Sequence, residues 1–483
     1  MVRTLTLDPV TRVEGHLAIE TQIESGRVVD ARVAGRMFRG FEDFLIGRHP
    51  VDAARITQRI CGICHEVHGI AASIALEDLY GTAPTSNGQI LRELILGLHL
   101  VTDHIFHFYQ LTLPDYLDFS VLHTYRGQDQ RVQQIDKLFK NSSGTFSNPG
   151  ISDPLKSTKL TIEMALGYVD AIAIRKEAAS GLASLGGKVP FAHAVLPGGL
   201  TTAVTSDRLM KFADALDSTS DFIRRVYLPQ ARSLAEHFSH YFNVGAAHGA
   251  FYSNGGFDHL QGPLFSGGIV SSDGKKVAFD QAKVEERSDS AFFSETGHLK
   301  ADKKDAYSWV KALQYGGTPM EVGPLARLVV SADKGFANLL KAYGQKRPVS
   351  SVMARILARA YEADMICRYL LELLPRYRLE EPTINPIDMA RKVSGTGSGL
   401  SLAARGALNH HLAVEGGKVT AYTFQVPSTW NFGSKANGKH GTVEQALIGT
   451  PISISKYKQG GGEAIEVGRI VRSFDPCLAC AIH

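Results

Sequence analysis

Apolar and polar positions alternate at every second residue in several short stretches, and this period predicts β-strands. Residues 3–35 alternate around a turn at Glu24-Ser-Gly, which predicts a short N-terminal β-hairpin. Residues 411–425 alternate around Glu415-Gly-Gly-Lys, which predicts a second hairpin. Residues 245–300 are glycine-rich with alternating patches, so we expect small strands and loops there.

Longer stretches repeat with the helical period of about 3.6 residues. They predict helices over residues 52–79, 88–111, 158–184, 206–242 (with a break near Pro229) and 350–374. Asp52 is a suitable N-cap for the first helix, on which Cys61, Cys64 and His68 would share one face. Residues 115–157 are polar, which indicates an excursion with short helices. Long helices with small peripheral β hairpins predict a mainly α, α+β fold.

The length of the chain bears on its domain organisation. Single hydrophobic cores stop growing near roughly 250–300 residues, so 483 residues predict two or more interlocked lobes. The elements divide into an N-terminal β region (1–50), a helical core (51–244 and 350–410), a peripheral α/β excursion (245–349) and a C-terminal segment (411–483). We expect these parts to work as one unit.

Composition argues against two classes of partner. Hydrophobic residues make up 44% and charged residues 21%, which is usual for a globular protein. The net charge of +4 is small for this size and no lysine- or arginine-rich run occurs, so no nucleic-acid partner is expected. No apolar stretch of about 18 residues predicts a membrane span, and the N-terminus lacks the apolar core of an export signal.

Four of the five cysteines form two Cys-x-x-Cys pairs at opposite ends of the chain. Cys61 and Cys64 form the first pair, and Cys477 and Cys480 form the second. Each pair can chelate a soft metal through two thiolates, and a fold that joins the pairs supplies four thiolates to one site.

The wide separation of the pairs disfavours their ordinary uses. Zinc ribbons hold their pairs roughly 15–20 residues apart, and cysteine runs for iron–sulfur clusters are compact. Two disulfides would leave Cys367 without a partner. Cys367 lies in an apolar helical stretch, which is typical of a residue in the hydrophobic core. A buried metal site is therefore favoured, and a redox dithiol and chance core cysteines stay open as alternatives.

Further motifs accompany the cysteines along nearly the whole chain. They are Arg12-Val-Glu-Gly-His16, Met37-Phe-Arg-Gly-Phe-Glu42, Arg59-Ile-Cys-Gly-Ile-Cys64, Asp103-His-Ile-Phe-His-Phe-Tyr109, Ala404-Arg-Gly-Ala407, Val426-Pro-Ser-Thr-Trp-Asn431 and Asp475-Pro-Cys-Leu-Ala-Cys-Ala-Ile-His483. With these motifs, in this order, the sequence resembles the large subunit of nickel–iron hydrogenases. The resemblance implies the long-helix core of that family and an oxidoreductase that cleaves and forms H2 heterolytically.

The resemblance also implies the metals. It assigns Cys61 and Cys477 to nickel as terminal ligands, and Cys64 and Cys480 as bridges between nickel and iron. Four thiolates cannot saturate two metals, so the iron needs further ligands, which in the family are carbon monoxide and cyanide.

A second metal site is implied nearby. Glu42 and His483 resemble the family's protein ligands of a divalent ion, usually Mg²⁺, for which a carboxylate is well suited. A chain that ends at His483 resembles the family's mature form, from which a maturation protease has removed a short tail.

Glu14 resembles the family's first proton acceptor beside a nickel thiolate, a role that a carboxylate within hydrogen-bond reach can fill. Its alternative is a hairpin glutamate paired with Arg12. Arg405 resembles the arginine that lies over the metals, where it would hold Asp103 and Asp475. A structural network of buried ion pairs is the alternative for these three residues.

His68 could donate a hydrogen bond to the bridging sulfur, with a satisfied core histidine as the alternative. The hydroxyls of Ser428 and Thr429 could donate to a cyanide nitrogen, with a plain turn after the hairpin as the alternative. One loop departs from the family pattern, because many members read Glu-Ala-Pro-Arg-Gly where this chain reads Leu402-Ala-Ala-Arg-Gly. The missing proline leaves the rigidity of this loop open.

Only Cys367 remains outside the two pairs, so this chain cannot hold an iron–sulfur cluster as well. Electrons must leave through another polypeptide, which the resemblance identifies as a small subunit with iron–sulfur clusters, in a heterodimer or a dimer of heterodimers. In respiratory members the large subunit is exported with its partner. We therefore expect a periplasmic or membrane-associated location, with the cytoplasm as the alternative.

Two other functions of the same fold stay as alternatives. A hydrogen sensor would keep the metal site but signal to a kinase. The quinone-end subunit of respiratory complex I lacks the metal and predicts loss of the cysteine pairs, yet all four cysteines are present. A dithiol oxidoreductase would need a Cys-x-x-Cys beside a βαβ pattern, and we find none.

Overall fold

The structure is a computed structural model that describes residues 2–141, 153–294, 297–346, 348–452 and 464–482. Its helices are α1 Phe41–Leu45, α2 Ala53–Ile56, α3 His65–Tyr80, α4 Ser86–Phe106, α5 Gln130–Asn141, α6 Thr158–Gly186, α7 Ser206–Phe222, α8 Leu228–His237, α9 Pro324–Val330, α10 Lys334–Lys341, α11 Val352–Leu373, α12 Pro427–Phe432, α13 Thr442–Leu447, α14 Ile465–Ser473 and α15 Leu478–Ala481. None of these described helices is both long enough and apolar enough to cross a membrane.

Small antiparallel sheets surround the helices. Their strands are β1 Arg3–Leu7, β2 Leu17–Glu24, β3 Arg27–Gly35, β4 Val195–Leu196, β5 Gly199–Leu200, β6 Phe251–Gly256, β7 Phe265–Val270, β8 Lys276–Val277, β9 Val284–Arg287, β10 Ala312–Tyr315, β11 Thr318–Pro319, β12 Gly395–Ala403, β13 Gly406–Glu415 and β14 Lys418–Gln425. The sheet orders are β1-β2-β3, β4-β5, β6-β7-β8, β11-β10-β9 and β12-β13-β14. The predicted α+β class is confirmed.

Long helices form the centre of the molecule. α4 is buried along almost its whole length, and it packs against α6 and α11. A helix that is buried all round needs apolar residues on every side, and α4 has them. Its carboxyl-terminal end continues into a π-helical segment, His107–Thr112, so the predicted helix over 88–111 is confirmed with a widened last turn.

The N-terminal hairpin is confirmed as β2–β3, which turn at Ser25 and Gly26. The structure adds β1, which pairs antiparallel with β2 from Arg3↔Ile23 to Leu7↔Ile19. The second hairpin is confirmed as β13–β14, and β12 adds a third strand to it.

The prediction of one continuous helix over residues 52–79 is wrong. Cys61 has extended backbone, with φ −144° and ψ 138°, and α3 begins only after Cys64. The Sγ atom of Cys61 accepts hydrogen bonds from the amides of Ile63, at 3.2 Å, and Cys64, at 3.4 Å. In a continuous helix these two amides would donate to backbone carbonyls, so their hydrogen bonds to the Cys61 side chain interrupt the helix. Cys61, Cys64 and His68 therefore do not share one helix face.

Asp52 occupies the N-cap position of the short helix α2, but it does not cap that helix with its side chain. It is the last residue of a 3₁₀ turn, Pro50–Asp52. In the helix predicted over 206–242, the distortion lies before Pro229, in a π-helical segment Ile223–Tyr227 between α7 and α8. A widened turn fits a proline that lacks an amide hydrogen.

The predicted excursion over 115–157 contains a 3₁₀ helix, Phe119–Thr124, and α5. Residues 142–152 lie outside the described part of the chain. The predicted helices over 158–184 and 350–374 are confirmed as α6 and α11.

Candidate active site

The fold brings both Cys-x-x-Cys pairs to one buried place. The Sγ atoms of Cys64 and Cys480 lie 3.0 Å apart, those of Cys477 and Cys480 lie 3.0 Å apart, and those of Cys61 and Cys477 lie 3.3 Å apart. All four sulfur atoms lie within 4.8 Å of one another, and all four cysteines are free and buried. They form the only such cluster of possible metal ligands among the described residues.

Each pair sits where regular structure begins. Cys61 and Cys64 occupy the break before α3, and Cys477 directly precedes α15. The segment around Glu14 forms a parallel bridge with Cys477, in which Leu478 N donates to Glu14 O at 2.8 Å.

Gly15 makes this close approach of the two segments possible. It has φ +80°, and a Cβ atom there would lie 2.8 Å from the backbone nitrogen of Ala479. A residue with a side chain would be strained and would push the C-terminal segment away.

Four sulfur atoms at these distances cannot all carry negative charge without a cation. Hydrogen bonds from neighbouring thiols, foremost that of Cys477, lower the pKa of Cys61. Burial raises the pKa of Cys477 and of Cys480. A bound metal ion reverses this situation, since it deprotonates coordinating thiols outright.

Glu14 contacts the thiol cluster directly. Its Oε2 atom lies 3.2 Å from the Sγ of Cys477 and accepts a hydrogen bond from the Ala479 amide at 3.0 Å. Burial and the nearby charge of Cys61 raise the pKa of this carboxyl group. Arg12, the alternative partner, instead pairs with Asp115 and donates to the carbonyl of Leu111.

Arg405 lies between two carboxylates, and all three side chains are buried. Its Nη1 atom donates to Asp103 Oδ2 at 3.4 Å, and its Nη2 atom is 3.1 Å from Asp475 Oδ1. The contact between Arg405 Nη2 and Asp475 is an ion pair whose geometry is not that of a hydrogen bond. Both Nη2 and Nε of Arg405 therefore lack a hydrogen-bond partner.

The pKa values of the two carboxyl groups are shifted in opposite directions. Burial raises the pKa of Asp103 to about 7 against the opposing charge of Arg405. Burial also acts on Asp475, but the charges of Arg405 and other nearby cationic groups outweigh it and hold the pKa of that carboxyl below its usual value.

His68 joins the site to a buried chain of hydrogen bonds. Its Nε2 atom lies 3.4 Å from the Sγ of Cys480, and its Nδ1 atom lies 3.1 Å from His410 Nε2. His410 Nδ1 in turn lies 2.9 Å from the hydroxyl of Tyr422. Neither residue was predicted as a site residue, although Tyr422 lies in the second predicted hairpin and His410 directly precedes it.

A small cavity of about 10 Å³ opens beside Cys64, Cys477 and Cys480. It is lined by apolar side chains and by polar groups, listed here in chain order: Cys64, Val67, His68, Ala403, Arg405, Leu408, Pro427, Ser428, Cys477 and Cys480. Ser428 Oγ accepts the amide of Cys477 at 2.9 Å. Cys61 is not among the lining residues.

Thr429 is not beside this cavity. It lines a second and larger cavity together with Glu42, Lys311, Ala481 and Ile482, and its buried Oγ1 atom has no hydrogen-bond partner. Glu42 Oε1 accepts the amide of Phe424 at 3.2 Å. The other predicted ligand of a divalent ion, His483, lies outside the described residues.

The residues present fit a nickel–iron centre. Free thiols whose sulfur atoms lie 3.0 to 3.9 Å apart are a soft set of donor atoms, which suits such metals. The adjoining cavity of about 10 Å³ has apolar and polar walls. Arg405 lines it, and the Nε and Nη2 atoms of this residue have no hydrogen-bond partner.

Comparison with known proteins also indicates a nickel-dependent enzyme. The family model described as nickel-dependent hydrogenase matches residues 39–157 and 130–483, and one described as HoxL-like matches residues 4–34. The periplasmic NiFeSe hydrogenase large subunit of Desulfomicrobium baculatum is 33% identical over 506 residues, which cover 99% of this chain and 94% of that protein. The hydrogenase-1 large chain of Escherichia coli (strain K12) is 28% identical, over 100% of this chain and 95% of that one.

Solved structures agree in fold. The H2-activated NiFeSe hydrogenase of Dm. baculatum matches with a TM-score of 0.88 and 31% identity over 100% of both chains. A buried four-thiol centre in this fold defines the protein as a metal-dependent oxidoreductase that acts on H2. The chain belongs to the nickel-dependent hydrogenase family and is a large subunit of it.

Proposed function

We propose that this chain is the catalytic subunit of a hydrogenase that cleaves and forms H2 heterolytically, with Glu14 as the first proton acceptor. The observation that carries the proposal is the 3.2 Å contact between Glu14 Oε2 and the Sγ of Cys477, within a cluster of four free thiols. A carboxylate at this distance can take a proton from sulfur directly.

The roles of the four cysteines follow from the family resemblance, in which Cys61 and Cys477 would bind nickel alone and Cys64 and Cys480 would bind both metals. Cys64, Cys477 and Cys480 line the cavity and Cys61 does not. Both residues proposed to bind iron therefore lie beside the cavity. When bound, the centre supplies the Lewis-acidic, redox-active metal pair at which H2 is split.

The surroundings of the cavity suit small diatomic ligands. Val67, Leu408 and Pro427 give an apolar wall for carbon monoxide. The Nε and Nη2 atoms of Arg405 have no hydrogen-bond partner and could donate to cyanide nitrogen. Thr429 is no longer proposed for this role, because it lines the other cavity, whereas Ser428 lines this one and stays proposed.

His68 is proposed to donate from Nε2 to the sulfur of Cys480. The contact between its Nδ1 atom and His410 Nε2, at 3.1 Å, fixes the orientation of the ring. Such outer partners tune the basicity of a metal-bound sulfur.

Glu42 is proposed to bind a divalent ion such as Mg²⁺. In support, Glu42 lies in the same cavity as Ala481 and Ile482, and the amide of Arg39 donates to Ile482 O at 3.1 Å. This contact holds the C-terminal helix near the carboxylate. Chelation of divalent ions from the purified enzyme should lower its thermal stability, and Glu42→Gln should abolish that effect.

Electrons are proposed to leave through a small subunit with iron–sulfur clusters. Within the part of the chain that the structure describes, no second cluster of possible metal ligands is present to carry them. A periplasmic location after export with that partner is also proposed, since the relative from D. baculatum is a periplasmic enzyme. Affinity purification through a tag on this chain should recover an iron–sulfur protein from the periplasmic fraction.

The activity itself is tested by H2-dependent reduction of an artificial dye with the purified complex. Wild type should reduce the dye, and Cys61→Ser should not. Wild-type protein that contains nickel but never reduces the dye under H2 would contradict the proposal.

A further inference from the structure

The turn that carries Arg405 is held from outside by two buried arginines. Arg327 donates from Nη1 to Ala403 O at 2.9 Å and from Nη2 to Ala404 O at 3.4 Å. Arg359 donates from Nη1 to Ala404 O at 3.3 Å. The two carbonyls that immediately precede Arg405 therefore both accept from guanidinium groups.

Arg327 is itself fixed by a buried carboxylate. Its Nε atom donates to Glu362 Oε2 at 2.8 Å, and its Nη2 atom donates to Oε1 of the same residue. Glu362 Oε1 also lies 2.9 Å from His104 Nε2. Burial opposes ionisation of this carboxyl group, but the charge of Arg327 outweighs it and lowers the pKa of Glu362 to about 2.

The turn has little stiffness of its own. Ala403 pairs with Gly406, so Ala404 and Arg405 are the two central residues of a two-residue hairpin. Such hairpins favour turns with positive φ, but neither central residue is among those with positive φ. Proline at the first central position would preset a negative φ, and this chain has alanine there.

The turn also lies directly against the helix that bears Arg327. Gly406 has φ +141°, and a Cβ atom there would lie 2.5 Å from Val322 Cγ2 and 2.8 Å from the nitrogen of Gly323. Gly323 is the residue before α9. A shift of this helix would therefore be transmitted to the turn over a very short path.

We propose that Arg327, fixed by Glu362 and His104, is a positioning residue that holds Arg405 over the metal site in place of a proline at position 404. The inference rests on the proposed function, because it takes Arg405 to lie beside the metals. Arg359 adds a second restraint, since its Nη1 atom also lies 3.5 Å from Asp475 Oδ2.

Stability alone does not explain this network. Replacing a buried ion pair by uncharged residues of similar volume is often neutral or stabilising, whereas removing one partner is costly. The ion pair of Arg327 and Glu362 holds the carbonyls of Ala403 and Ala404 in place through hydrogen bonds. An apolar pair of residues could not do so.

The test uses the complete enzyme with its partner subunit. Arg327→Met with Glu362→Gln removes both charges together, so no uncompensated charge remains in the core. We expect nickel content and the KM for H2 to stay at the wild-type values, whereas kcat falls by about 10- to 100-fold, as for small displacements of a positioned group. The infrared bands of the diatomic ligands should shift or broaden.

Adding Ala404→Pro to this double variant is the decisive step. Within the described residues the Ala404 amide donates no hydrogen bond, and the φ of Ala404 is not positive, so two common obstacles to proline are absent from this position. We expect proline to restore most of the lost kcat and the wild-type infrared bands. A merely structural role of Arg327 predicts no such rescue.

A matched control is Arg92→Met with Glu77→Gln. Arg92 is an equally buried arginine that donates to Glu77 from both Nη atoms and to a backbone carbonyl, that of Leu196. This double variant should keep the wild-type kcat and bands.

Wild-type kcat and bands in the Arg327 and Glu362 variant would overturn the inference. So would loss of nickel from it, or failure of Ala404→Pro to restore activity. Wild-type enzyme without diatomic bands would instead contradict the proposed function, so the two failures are distinguishable.

Discussion

Replacing Glu14 by glutamine should block proton exit while it leaves the site assembled. The amide keeps the length of the side chain, and its oxygen can still accept from Ala479 N, now at 3.0 Å from Glu14 Oε2. Only the ability to take a proton from the Sγ of Cys477 is lost. A positioned general base contributes typically about 10²- to 10⁴-fold in rate, equal to about 2.7–5.4 kcal/mol of barrier.

A shorter side chain gives a graded test of the same contact. Glu14→Asp withdraws the carboxylate by about 1.5 Å, the length of one carbon–carbon bond. The contact to sulfur, 3.2 Å in the wild type, would then exceed direct hydrogen-bond reach. We therefore expect a loss of kcat that is smaller than that of the glutamine variant, because a bridging water can restore part of the transfer.

The assay is H2 oxidation by the purified complex, with nickel quantified on the same sample. Exchange between D2 and solvent protons should fall with kcat in Glu14→Gln, whereas conversion of para-H2 to ortho-H2 needs no proton exit and should persist. The control is Glu444→Gln, which removes a buried carboxylate whose partners are Val33 N, Gly441 N and the hydroxyl of Tyr307, with no cysteine among them. Glu14→Gln with wild-type exchange and turnover would refute the assigned role.

Three further outcomes test the site. Cys477→Ser should lose nickel and activity on metal analysis, whereas Cys367→Ala, which changes a core thiol, should retain both. Arg405→Lys should lower kcat by about 10-fold or more with nickel retained, because one ammonium cannot span two carboxylates as a guanidinium does; unchanged turnover would contradict this. Gly15→Ala should lower the thermal midpoint, since its φ of +80° costs a residue with a side chain about 1–2 kcal/mol and its Cβ would meet Ala479 N at 2.8 Å; an unchanged midpoint would count against the tight bridge.

The chemistry of the site was predictable because it resides in residue identities. Two Cys-x-x-Cys pairs and a set of ordered motifs indicate a thiolate metal site, whatever the path of the chain between them. The long helices were predictable as well, since α6 and α11 are long runs rich in helix-forming residues, with ordinary N-caps at Ser157 and Ser351.

The break between Cys61 and Cys64 was not predictable from periodicity. Apolar residues continue at helical spacing on both sides of it. Only the structure shows that the Sγ atom of Cys61 accepts hydrogen bonds from the amides of Ile63 and Cys64. Ser428 and Thr429 illustrate a second limit. They are neighbours in α12, about 100° apart around its axis, so they face different cavities.

The arginines around the turn at 404–405 carried no sequence signal. Arg327 and Arg359 lie on α9 and α11, and each looks like an ordinary charge on a helix. Their buried carbonyl contacts arise only from tertiary packing.

Infrared spectroscopy of the purified complex, with nickel quantified on the same sample, tests the central claim most directly. Carbon monoxide and cyanide stretching bands, with nickel near one per chain, are the predicted result. A well-folded complex without these bands, and with zinc or no metal at the four cysteines, would contradict the account.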